Sequence, residues 1–163
     1  MADDDFFYPR DMLQRLVKMH NKYPSDIIAS SVQIIAPTII SLPSVWLAPI
    51  NGERYVSSRE AQAFTGAGSL FPAKWYSKEV FNSEKAMELA STADDLWLKA
   101  MSLCAEIRTT AVYPVRGFPV QIQIKNNHSL YLMNNADGGN MNDRIWASLL
   151  EEYDLKDFDV CSR

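Results

Sequence analysis

The chain has 163 residues, 47% hydrophobic and 22% charged, which is the balance of a globular domain able to bury a core rather than of a disordered segment. Its formal net charge of -4 supplies no basic footprint, which argues against nucleic acid as the main partner. Two cysteines, Cys104 and Cys161, are too few for a disulfide framework; with no signal peptide in view they read as reduced thiols of a cytoplasmic protein.

The chain opens on MADDDFFYP, three aspartates followed at once by aromatics and a proline. Pro9 has the preset backbone angle of a helix start, and Leu13, Leu16, Val17 and His20 follow at helical spacing until Asn21 and Pro24. From Ile27 to Ile50 no residue is charged, over a length that would cross a bilayer. Pro37, Pro43 and Pro49, with Ser30, Ser31 and Gln33 among the apolar residues, oppose a membrane helix and predict a buried strand over 27–36 followed by a long loop.

AFTGAGSLFP (63–72) reads as a flexible turn in which Gly66 and Gly68 permit close backbone approach. A short helix is predicted within 77–89, and STADDLWLKAMSL opens a firmer one with Leu96, Ala100, Leu103 and Cys104 on one face. PVQIQIK alternates like a strand, HSLYLMN reads as another, and NADGGNMND is a loop. A last helix carries Ile145, Trp146, Leu149, Leu150 and Tyr153 as its apolar side. These elements predict one mixed α/β domain over residues 1–163, with no internal repeat and long polar loops suited to function.

Two carboxylate pairs carry the chemistry. Asp3 and Asp5 are one residue apart, so in an extended segment they face one side and can converge on a hard cation such as magnesium or manganese. Asp94 and Asp95 begin a helix, where Thr92 and Asp95 have the spacing of a capping box; the alternative is a general base on a rigid helix start. His20 suits a helix C-terminus and His128 a polar turn, and no His/Cys group has zinc spacing. TGAGS is not a nucleophile elbow, and GAGSLFP is neither a phosphate loop nor a dinucleotide fingerprint. The four tryptophans suit a core or a cleft edge, where an aromatic face can also seat a sugar ring.

In order, ADDDFFYP, TGAGSLFP, ADDLWLKAM and GGNMNDRIW resemble the later half of a bacterial GT-A-type, family-two-like glycosyltransferase of surface polysaccharide synthesis, over the chain up to about Tyr153. The resemblance implies a partial GT-A-like mixed sheet with flanking helices. It implies Asp3 and Asp5 as ligands of a divalent ion, Mn2+ or Mg2+, Asp95 as the catalytic base with Asp94 beside it, and Gly66, Gly68, Asp94 and Trp97 near the substrates. The partners implied are a nucleotide-sugar donor, a UDP-sugar foremost, and a saccharide or lipid-linked acceptor, with inverting transfer in the cytoplasm or at the inner face of the cell membrane. Such enzymes place a nucleotide-binding βαβ region ahead of the Asp-x-Asp, whereas only Met1 and Ala2 precede it here, so the chain is expected to be the C-terminal part of a longer enzyme. An uncovered sheet edge would then favour a homodimer. The rival readings are a non-catalytic carbohydrate-binding or interaction domain and a two-carboxylate metal hydrolase, the latter short of ligands.

Overall fold

A computed structural model describes residues 1–34, 56–72, 77–112, 119–122 and 141–155. In chain order these form β1 (Phe6–Phe7), α1 (Met12–Lys22), β2 (Ile27–Ala29), β3 (Val32–Ile34), β4 (Ala61–Ala63), β5 (Ser69–Leu70), α2 (Ser83–Ala90), α3 (Asp94–Cys104), β6 (Thr109–Ala111), β7 (Val120–Gln121) and α4 (Met141–Glu152). Short 3-10 turns occupy Thr65–Ala67 and Glu79–Phe81. The mixed α/β class expected from the sequence holds; what the described residues add is its layering.

β2 is the centre of that layering. It pairs parallel with β6, Ile28 opposite Thr110, and antiparallel with β5, Ile28 opposite Leu70. Successive side chains of a strand point to opposite faces. Accordingly Ile27 and Ala29 join the main core with Leu96, Ala100, Trp146 and Leu149, while Ile28 packs with Leu16 and Val112 on the other side. Both faces are thus covered by helices, α1 on one and α2, α3 and α4 on the other, which is why this stretch of sequence is an uninterrupted apolar run and not an alternating one.

The single strand predicted over 27–36 is instead two. Ser30 and Ser31 divert the chain: the Ser30 amide donates to the Gly68 carbonyl (2.9 Å), and the Ser31 carbonyl accepts from the Phe64 amide (2.9 Å). β3 then leaves the three-stranded sheet and forms an antiparallel pair with β4, Gln33 opposite Gln62. β1 and β7 make a third, two-stranded ribbon, so PVQIQIK contributes a strand at its start. The predicted strand HSLYLMN, the loop of 36–50, His128, Trp46, Trp75 and Cys161 lie outside the described residues.

The helices follow their patterns with two exceptions. α4 buries Ile145, Trp146, Leu149 and Leu150 as expected, with Tyr153 half-buried just past its end. α3 buries Leu96, Ala100 and Leu103, but Cys104 is exposed, since the helix ends there and turns away from the core. α1 begins at Met12, one turn after Pro9, whose carbonyl accepts from the Met12 amide (3.0 Å); only Leu16 of its predicted stripe is buried, because α1 rests on the sheet by one narrow edge and leaves Leu13 and Val17 in solvent. Asn82 caps α2 by accepting from the Lys85 amide (3.1 Å). No helix among the described residues is long and apolar enough to cross a membrane.

Candidate functional site

The site is assembled where three remote stretches meet: the opening aspartates, the glycine turn and the start of α3. The opening segment is not extended at the aspartates, as the same-side argument for Asp3 and Asp5 assumed; the chain turns at Asp4–Asp5 before entering β1. That turn docks the first residues against β5. Met1 and Ser69 exchange hydrogen bonds, the amino terminus donating to the Ser69 carbonyl (2.5 Å) and the Ser69 amide to the Met1 carbonyl (2.9 Å). Further along, the Asp5 carbonyl accepts from the Ile122 amide (2.6 Å), tying the turn to β7.

Tyr8 completes the arrangement. Its hydroxyl accepts from the Asp3 amide (2.7 Å) and faces the Gly66 carbonyl at 2.5 Å and the Asp3 carbonyl at 2.9 Å. The Asp3 carboxylate lies directly against Gly66: a Cβ added there would collide with it and sit 3.5 Å from the Phe6 ring. Gly68 has φ +97°, which glycine alone adopts without strain, and a Cβ there would meet the Met12 sulfur at 2.5 Å. The predicted flexible turn is therefore a buried 3-10 turn, and the close approach its glycines permit is to the chain itself, to Asp3 and Met12.

At the other side of the site, Asp94 and Asp95 are the first two residues of α3. The capping box read from Thr92 and Asp95 is not formed: the cap position is Ala93, one residue later, and no side chain caps it. Both acids instead lie in the first turn, where the amide end of the helix favours negative charge. Burial, followed by the neighbouring charge of Asp94 and a smaller contribution from Asp3, pushes the Asp95 carboxyl up to about 6. Asp3 is raised as well, by burial first and then by Asp94, Asp5 and Asp4. Asp3 thus shares an electrostatic environment with Asp94 and Asp95, from which it is remote in sequence.

The remaining candidates divide. Trp97 is 4% exposed; its indole N–H donates to the Val80 carbonyl (3.2 Å) and its ring meets Tyr153 edge-on, so it supports the core behind the acids. Asp94 is exposed beside Asp95. Among the described residues no group of three or more His, Cys, Asp or Glu side chains is arranged to hold a metal ion. The donor atoms offered by Asp3 and Asp5 are all carboxylate oxygens, which suit magnesium or manganese, and two carboxylates leave most of such an ion's positions to other oxygens.

Sequence reasoning missed Lys99, one turn along α3 from Asp95. It is 3% exposed and donates from Nζ to the carbonyls of Arg59 (2.7 Å) and Ala61 (2.9 Å). Burial, then the nearby Arg59 charge, pulls it down to about 7. Its signal was present: Leu96, Lys99, Ala100 and Leu103 share the i, i+3, i+4, i+7 stripe, so a lysine stands in a core position. A small cavity of about 10 Å3, on the scale of one water, lies beside Asp95, Lys99, Ser102, Thr65 and Thr109.

No family model matches the sequence, and neither a curated protein nor a solved structure matches the chain.

Proposed function

We propose that this chain is the metal- and acceptor-side part of a nucleotide-sugar-dependent glycosyltransferase, inverting in stereochemistry, with Asp95 as the base that accepts the acceptor hydroxyl's proton. The observation that carries the reading is the convergence of Asp3, Gly66, Asp94 and Asp95 from three separate stretches, with Asp95 raised to about 6 by burial, Asp94 and Asp3. A base must be mostly ionised at the working pH yet hold a proton well once it has it, and a carboxylate titrating near 6 meets both demands at pH 7. Its seat on the first turn of a helix fixes its direction, which matters because positioning of the hydroxyl lowers the barrier more than nucleophile strength does when the transition state is oxocarbenium-like.

Asp3 and Asp5 would hold a manganese or magnesium ion, whose chemistry is to offset charge on a departing diphosphate. Gly66 leaves room for the Asp3 carboxylate, Gly68 lets the same turn pack on Met12, and Trp97 holds the start of α3 from behind. The donor in this reading is a UDP-sugar and the acceptor a saccharide or a lipid-linked one; a surface-polysaccharide role, a place in the cytoplasm or at the membrane's inner face, and self-association belong to the same proposal.

Calorimetric titration with manganese and UDP tests it, on this chain and on one carrying a nucleotide-binding half upstream. Binding by the extended chain supports the reading; no binding of any nucleotide with any divalent ion would replace it with a non-catalytic carbohydrate-binding domain. In the active enzyme, Asp95→Asn should lower turnover at least about a hundredfold while donor binding persists.

A further inference from the structure

We infer that Tyr8 is a positioning residue whose hydroxyl latches the Asp3 segment onto the Gly66 turn and so sets where the Asp3 carboxylate sits in the acidic cluster. The latch is one oxygen with two duties. It accepts from the Asp3 amide (2.7 Å), and it reaches the Gly66 carbonyl at 2.5 Å. Without it, Asp3 and Gly66 are joined only by a backbone contact of 3.5 Å, too long to hold the carboxylate in one place. The latch holds this carboxylate in the company of like charges: after burial, Asp94, Asp5 and Asp4 all act on Asp3.

The ring side of Tyr8 is built to aim the hydroxyl. It stacks on Phe6 with centroids 6.0 Å apart and planes 27° from parallel. Phe6 lies in β1, which β7 pins through the Phe6–Gln121 pairing, so the aromatic stack has a fixed base. Gly66 supplies the complementary half, since any side chain there would occupy the place of the carboxylate.

The latch itself depends only on geometry; its consequence for a divalent ion rests on the function proposed above. The test is Tyr8→Phe, which keeps the stack and removes the oxygen. In amide hydrogen exchange the Asp3 amide should lose protection about tenfold or more, the worth of one well-made hydrogen bond, while amides in α3 and α4 keep theirs. An unchanged Asp3 amide overturns the latch. So does a uniform loss of protection with a large fall in Tm, because that is a general contribution to folding and not positioning. Manganese titration of the same two proteins separates the readings. If the wild type binds manganese, Tyr8→Phe should weaken binding about tenfold without a matching loss of Tm; equal affinity in the two overturns the latch's role in placing Asp3. If the wild type takes no manganese, the proposed metal role fails, and the exchange result alone decides the latch.

Discussion

Gly66 has no side chain, and the Asp3 carboxylate fills the place where one would be. The two residues are far apart in sequence, yet neither position is free to change alone: the acid is admitted only because the turn is bare.

Gly66→Ala should therefore displace Asp3 rather than be absorbed. The added methyl also approaches the Phe6 ring at 3.5 Å, so the turn has little room on that side. The atom met is the far end of an exposed side chain that can turn aside, so a loss of no more than about 1 kcal/mol in urea-induced unfolding is expected. Asp3→Ala in the same background should recover part of that loss, and full additivity of the two changes would show that they do not touch.

Asp95→Asn should make the protein more stable at neutral pH. The folded carboxyl is raised to about 6 against an ordinary 3.8, so between those values the folded state holds a proton that the unfolded state has released. Stability falls as pH rises through that window, and above it the whole penalty of keeping a charged Asp95 is present. The variant escapes that penalty, so its advantage over wild type should grow from pH 4 to pH 7, to on the order of 1–3 kcal/mol. Parallel curves for the two proteins would mean that Asp95 titrates normally.

Lys99 gives the opposite slope at higher pH. It is lowered to about 7 against an ordinary 10.5, so from pH 7 upward the unfolded chain binds a proton that the folded protein has shed. Wild-type stability relative to Lys99→Met should rise across that interval, at up to about 1.4 kcal/mol per pH unit. A neutral amine still has two protons for the Arg59 and Ala61 carbonyls, so discharge need not break the clamp on β4. Methionine leaves both carbonyls without that donor, and the variant should be less stable than wild type at pH 9.

Ile28→Ala should be among the most damaging changes in the sheet. Ile28 is fully buried, at the middle of β2 and between Thr110 and Leu70. A loss of about 2–5 kcal/mol is expected by chemical denaturation. The corresponding change at the exposed Leu13 should cost less than about 0.5 kcal/mol.

What the sequence disclosed depended on how local the cause was. The apolar side of α4 and the burial of Leu96, Ala100 and Leu103 were legible because helical periodicity is a property of neighbouring residues. The break at Ser30–Ser31 was not, since it is made by hydrogen bonds to Gly68 and Phe64, which lie far along the chain. At the site, the aspartates stood out by type, and their shared environment did not. Tyr8 was one of three opening aromatics in the sequence, when its hydroxyl is its contribution. Thr92 and Asp95 had the spacing of a cap, but Ala93 occupies the cap position, so the pattern was offset by one residue from the helix it was meant to begin. Lys99 was overlooked because a lysine in a charged-looking motif reads as surface.

The central position of β2 also bears on how fast this chain can fold. Its pairing with β5 closes a loop of roughly 40 residues and its pairing with β6 one of roughly 80, and the entropy of closing such loops must be met before the contacts stabilise anything. The helices α2 and α3 lie inside the larger loop and can pack on each other first, shortening the effective search. The sheet is then expected to form late, so substitutions in β6 should slow refolding less than they speed unfolding.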